Sequence, residues 1–254
     1  MEQLQRLVVR YGECRQKPVR LRPKTWRPWL EPHGAARVLS LGTECSIGPR
    51  GDRLITRDDL ATLRVRADGN PDGLRDLFVA VMIWGSGTSN GHGPRYTCRA
   101  LSDSRMTQVL ETTRKSVQAG ELSSAYSQFT LNGVGRSFFT KWFAAVDPRD
   151  SECERALILD ARVFRSLIAL GWYSRKAAGT RRWPTRYATY VSTMHGWARR
   201  LGVSADRLEW LLFYLNGRVD AASEPCSSRA ASAAHPAQED KESIRPREER
   251  QHDR

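Results

Sequence analysis

The chain has 254 residues, 40% of them hydrophobic and eight of them tryptophan, enough for one large domain or two small ones sharing a cleft. Its formal net charge is +13 with a pI near 10.1, which suits a polyanionic partner. No run of about 18 apolar residues exists to cross a membrane, and the first residues, MEQLQRLVVRYGECRQK, lack a secretory signal, so a soluble cytoplasmic protein without a membrane partner is expected.

Arginine carries nearly all of the positive charge, lysine standing only at positions 17, 24, 115, 141, 176 and 241. The guanidinium fork suits bidentate phosphate contacts, although a GC-rich coding sequence also favours arginine. Cys14, Cys45, Cys98, Cys153 and Cys226 are far apart and form no C-x-x-C pair, so no zinc ribbon or clustered iron–sulfur site is indicated and reduced thiols are expected.

Residues 1–56 are rich in Arg, Pro and Gly and read as an irregular, packed extension, because Trp26 and Trp29 are costly to leave in water. A helical region begins near TRDDLATLRVRADG. In NPDGLRDLFVAVMIWG the apolar run suits a buried helix or strand, and the opening favours helix: Asn70 as cap, Pro71 in the first turn, Asp72 near the positive end. A glycine-rich loop, GSGTSNGHGPR, follows. Further helical patterns lie at SDSRMTQVLETTRKSVQAG, ELSSAYSQFTL, RSFFTKWFAAV, DARVFRSLIALGW, PTRYATYVSTMHGWARRLG and SADRLEWLLFYLNG, the last capped by Ser204 and stopped at Asn216-Gly217. No segment alternates as a strand, so the class is mostly α. From Arg218 the chain is poor in large apolar residues and is expected to be disordered. That tail has seven basic and eight acidic residues, which leaves +14 on residues 1–217. The domain reading is an extension over 1–56, a helical core over 57–217 with a hairpin at 131–137, and a tail over 218–254.

In LNGVGRSFF, Gly133 and Gly135 permit turn geometries closed to other residues, and the turn opens onto a helix. Backbone N–H groups of Val134, Gly135 and Arg136 can then converge on a phosphate oxygen without reading sequence; a tight turn between packed helices is the plain alternative. Beyond it, Phe138, Phe139, Trp142, Phe143 and Val146 form an apolar stripe, while Ser137 and Lys141 share another face. Asp160 follows Leu157-Ile158-Leu159 and begins a helix. It is either an ordinary N-cap, worth about 1 kcal/mol, or a carboxylate facing whatever the hairpin binds. Asp147 and Asp150 read as loop residues.

GVGRS followed by LILDARVFRSL resembles the signature of the helix-hairpin-helix DNA glycosylase superfamily over about residues 70–217, most of all the bacterial 8-oxoguanine-glycosylase-like group, some of whose relatives act in phage defence. The resemblance implies two helical subdomains flanking a DNA-binding cleft, a monomer without cofactor or metal, and duplex DNA with a damaged or modified base as partner, in the cytoplasm with the nucleoid. It assigns phosphate contacts to Asn132, Gly133, Val134, Gly135 and Arg136, and catalysis to Asp160. The segment 85–95 takes the place of the loop beside the flipped nucleotide, with Asn90 and His92 as candidates to fill the vacated stack and Arg95 to contact a phosphate or the orphan base. Ser137, Lys141, Trp84, Trp172 and Tyr173 are the candidates for the base pocket.

The sequence departs from the family in three ways. The link from Gly135 to Asp160 is longer than usual, and no C-terminal cysteine cluster follows. Position 137 is serine where lyase-competent relatives carry their Schiff-base lysine, so a monofunctional glycosylase that leaves an abasic site is expected. Two other readings stand beside it: a non-catalytic helix-hairpin-helix DNA-binding module, and a glycosylase/lyase that uses Lys141. A P-loop is set aside because the glycine-rich loop has no Gly-Lys-Ser/Thr.

Overall fold

The computed structural model describes residues 1–67, 70–149 and 154–220. Asp150, Cys153, Cys226 and the tail from residue 221 lie outside the described residues. Within them the protein is mostly helical, as the patterns predict.

Helix α3 (Arg57–Arg66) opens on a capping box, in which the Thr56 hydroxyl accepts from Asp59 N and the Asp59 carboxylate accepts from Thr56 N. Helix α4 (Pro71–Gly85) starts at Asn70, whose side chain accepts from Asp72 N at 3.0 Å. The run Leu77–Trp84 is buried because α4 crosses the centre of the core. Helices α6 (Met106–Gln118) and α8 (Arg136–Val146) pack on it. There Trp142 of α8 meets Phe78 edge-on at 5.9 Å and donates its indole N–H to Thr113 Oγ1 at 3.0 Å. Around this centre lie α7 (Leu122–Gln128), α9 (Ala161–Ala169), α11 (Trp183–Leu201) and α12 (Ala205–Leu215). Ser204 caps α12, and Asn216 ends it in the left-handed conformation, φ 51°.

Four helices and a sheet were not legible in the patterns: α1 (Glu2–Arg10), α2 (Pro23–Leu30), α5 (Gly93–Leu101), α10 (Ser174–Ala178), and strands β1 (Val19–Leu21), β2 (Thr43–Glu44) and β3 (Arg53–Ile55). The strands pair antiparallel in the order β1-β3-β2, with Val19 opposite Ile55. Strands of two or three residues are too short to display an alternating pattern. Leu21, Trp26, Leu30 and Ile55 are fully buried in the same core as α4, so residues 1–56 form part of one packed unit. Trp29 is 40% exposed, contrary to expectation, because α2 turns its Trp26–Leu30 stripe inward and Trp29 falls beside it. Helix α1 lays Leu7, with Tyr11 beyond its end, against Trp210, Leu211 and Leu215 around α12.

Helix α5 claims residues 93–101, so the glycine-rich loop contracts to 86–92. Cys45 and Cys98 are free, whereas Cys14 is disulfide-bonded, which corrects the expectation of five reduced thiols. Distance along the chain does not prevent two sulfurs from meeting once the chain is folded.

Candidate active site

Residues 155–159 belong to no helix or strand, yet Ala156, Leu157, Ile158 and Leu159 are buried. Their backbone polar groups must find partners inside the protein. Side chains supply them. Ala156 N donates to Asp147 Oδ2 at 2.7 Å, Ile158 N to Glu209 Oε2 at 2.5 Å, and Leu159 N to Thr140 Oγ1 at 3.0 Å. The hydroxyls of Tyr187 and Tyr190 donate to Leu157 O and Ile158 O, each at 2.8 Å. This strut, held by α8, α11 and α12, delivers the next residue, Asp160, to a fixed place. Asp147 lies in a loop, as expected, but is fully buried there as one of its clamps.

Asp160 caps α9 through Oδ1, which accepts from Arg162 N at 2.9 Å. Its Oδ2 accepts from Lys141 Nζ at 3.1 Å, and the same ammonium donates to Ser137 O at 3.0 Å. Lys141 is buried, its charge also 5.1 Å from the Phe138 ring centre. A Cβ on Gly85 would lie 2.9 Å from Lys141 Cδ, so the glycine that ends α4 makes room for the lysine stem.

Asp160, Lys141 and Trp84 line one cavity of about 1400 Å³. Arg57 also lines it, 5.3 Å over the Trp84 ring, with its guanidinium 2.6 Å from Glu209. Burial pushes the Glu209 carboxyl above its usual range, against the pull of Arg57. The N-terminal stretch closes a further wall with Arg15, Lys17 and Val19, and α12 adds Trp210 and Phe213. Arg57 and Glu209 were missed in the sequence. A signal for Glu209 existed: one carboxylate among the apolar residues of RLEWLLFYL.

The remaining candidates for the base pocket stand elsewhere. Ser137 contributes its carbonyl to Lys141 but does not line the cavity. Trp172 packs edge-on against Tyr190 at 6.3 Å, and Tyr173, 53% exposed, lies at a separate concavity beside α10. Both follow α9, whose far end points away from the Asp160 cap.

At the hairpin, Gly133 takes φ 82°, a left-handed turn that favours glycine, and the Tyr96 ring lies against it. Gly135 has φ −74°, which any residue adopts, so its value lies in what it omits: a Cβ there meets nothing within 4 Å. Val134 is buried, and its N–H closes the turn onto Leu131 O at 3.4 Å, so it does not face outward as expected. The N–H groups of Gly135, Arg136 and Ser137 have no acceptor among the described residues and open at the start of α8, with Asn132 exposed beside them. His92 and Arg95 are exposed near this turn, His92 edge-on to Tyr96 at 6.1 Å.

Asn90 corrects the sequence reading. It is fully buried with φ 58°; its amide accepts from Trp26 Nε1 at 2.5 Å and donates to Arg20 O at 3.2 Å and Thr88 O at 2.9 Å. A side chain so committed pins the loop and cannot leave to enter a base stack.

Among the described residues, no helix is long and apolar enough to cross a membrane. No curated protein and no solved structure matches the chain. The model of the family described as "Putative 8-oxoguanine DNA glycosylase OGG-like protein" matches residues 12–213, which takes in α2 and the sheet as well as the hairpin and Asp160. With four-fifths of its length matched, the chain belongs to the OGG-like DNA glycosylase family.

Proposed function

We propose that the protein is a monofunctional DNA glycosylase that takes an extruded, damaged or modified base into the Asp160 cavity and hydrolyses its N-glycosidic bond. The observation that carries this reading is the meeting of Asp160, Lys141 and Trp84 on one cavity, with Lys141 on the helix whose start leaves N–H groups without an acceptor among the described residues. A base inside a duplex is out of reach of any side chain, so it must be flipped out before it reacts. The hairpin amides grip a phosphate while this happens. As the bond breaks, positive charge grows at C1′ of the sugar. A fixed carboxylate stabilises that charge in a site poor in water and orients the attacking water molecule. The same chemistry serves excision repair and restriction of modified phage DNA.

Lys141 favours water as the nucleophile. Its ammonium is engaged by Asp160 Oδ2 and Ser137 O, and an ammonium has no lone pair with which to attack C1′. In the free protein Lys141 forms an ion pair with the carboxylate to which this reading gives the catalysis. The same 3.1 Å contact supports a second reading, in which substrate parts the pair and the freed amine forms a Schiff base. End-labelled duplex on a denaturing gel separates the two. The expected result is an intact abasic strand until alkali is added, with no adduct trapped by borohydride. An adduct that vanishes in Lys141→Gln would establish the lyase.

The hairpin carries its own prediction. In Gly135→Val the backbone is unstrained and the side chain projects into the open space where a phosphate must approach. Affinity for all duplexes should fall about tenfold, without change of base preference, because amides that contact phosphate carry no sequence information. Fluorescence anisotropy with matched and lesion-bearing duplexes measures this. A loss confined to one duplex would contradict it.

A further inference from the structure

Between Asp160 and Asp206 the sequence has nine arginines and lysines and no aspartate or glutamate. Five of these cations, Arg175, Lys176, Arg181, Arg182 and Arg186, fall within one turn-rich corner, and none is ion-paired among the described residues. Arg175, Lys176 and Arg181 are exposed and line a concavity of about 560 Å³ together with Tyr173. Arg186 of α11 ties this corner to α10, donating from Nε and Nη2 to Ser174 Oγ at 3.0 and 2.7 Å.

The corner is continuous with the hairpin. The Arg186 guanidinium lies 3.5 Å from the centre of the Trp183 ring, and Arg136, from the first turn of α8, lies 3.9 Å from the same centre. Among the described residues Arg136 Nε is buried without a hydrogen-bond partner, while the guanidinium also meets the Tyr126 hydroxyl. Arg186 is held below its ordinary range, first by burial and then by repulsion from Arg136 and Arg175. Three cations gathered with no carboxylate paired to them among the described residues repel one another, and an anion placed between them relieves the repulsion. Their spread along the surface, from the hairpin to the α10–α11 turn, fits a row of phosphates better than a single small anion. Guanidinium forks suit phosphate oxygens, and the exposed Tyr173 ring offers an apolar face to sugar.

We propose that this corner, with Tyr173, Arg175, Lys176 and Arg181 joined to Arg136 and Arg186, is a second phosphate-binding surface that grips the duplex backbone beyond the hairpin. The proposal rests on the DNA reading above. It extends the DNA track onto a part of the chain to which neither the hairpin motif nor the catalytic carboxylate draws attention. Sequence preference is not its role; it sets affinity and the length of duplex engaged.

The test compares two triple variants of equal charge loss at exposed positions: Arg175→Gln/Lys176→Gln/Arg181→Gln in the corner, and Arg6→Gln/Lys24→Gln/Arg27→Gln on α1 and α2. Affinity for an unmodified duplex is measured between roughly 50 and 200 mM salt, with a hydroxyl-radical footprint of each complex. The corner variant should bind about tenfold more weakly or worse. Its slope of log affinity against log salt should shrink by about 0.9 for each phosphate that the variant no longer neutralises, and its footprint should retreat at one edge only. The control variant should keep the parent slope and footprint. A corner variant that tracks the control in all three measurements overturns the proposal. So does a parent protein from which single-stranded RNA displaces duplex DNA, since the surface would then belong to RNA. Absence of base release with these binding results intact would sink the glycosylase reading and leave the surface standing.

Discussion

An Asp160→Asn variant is expected to release base roughly 10²-fold more slowly than the parent, or worse, while still binding duplex. Asparagine caps a helix about as well as aspartate, so α9 keeps its start and the strut keeps its end. What the variant loses is charge. The carboxylate no longer faces C1′, and Lys141 keeps Ser137 O but loses its ion pair. Single-turnover release of base, measured beside duplex affinity, separates catalysis from binding. Asp58→Asn, an exposed change in the first turn of α3, serves as the control and should be as active as the parent. Parent-like release by Asp160→Asn would remove that carboxylate from the reaction.

Glu209→Ala should cost about 3–5 kcal/mol of folding stability, because it removes the buried carboxylate of the Arg57 pair and leaves that guanidinium only Asp206, at 3.8 Å. Glu209 is fully buried, 2.6 Å from Arg57, and accepts Ile158 N two residues before Asp160. Removing it therefore loosens the strut as well as the ion pair. Urea unfolding measures the loss, and a change under about 1 kcal/mol would mean that the strut does not depend on it. The proton linkage has a definite sign. Burial raises this carboxyl in the folded state, so the share of stability that depends on its proton is fullest below the ordinary carboxylate pKa and is lost as pH rises through the raised value, while the pair with Arg57 remains. Glu209→Gln, which cannot titrate, should remove that slope.

Much of the helical core was legible because its helices begin with chemistry that works locally. Asn70-Pro71, Thr56 with Asp59, Ser204 and Asp160 each satisfy N–H groups within their own turn, so the signal and the structure lie in the same few residues. The hairpin and Asp160 were legible for a different reason, their order matching a family signature although the link between them is longer than usual. The site's surroundings were not. The strut takes its partners from Asp147, Thr140, Tyr187, Tyr190 and Glu209, residues up to about fifty positions away whose roles exist only once three helices have packed. Asn90 misled because an asparagine in a glycine-rich loop looks exposed, and only the Trp26 indole, 64 residues distant, shows why it is buried. Trp172 and Tyr173 misled for the opposite reason. Aromatic residues near a catalytic aspartate suggest a pocket, but α9 carries them away from it.

A glycosylase at the Asp160 cavity must set a free base loose from duplex DNA. The direct measurement is mass spectrometry of the small molecules released from duplexes that carry 8-oxoguanine, other lesions and phage-type modified bases. Parent protein and Asp160→Asn are run side by side, with abasic sites counted in the same reactions. At least one duplex should yield free base and abasic sites in equal amounts with the parent, and close to none with Asp160→Asn. Saturable binding of every duplex with no base released from any would contradict this, and would leave a helix-hairpin-helix protein that holds DNA without cutting the glycosidic bond.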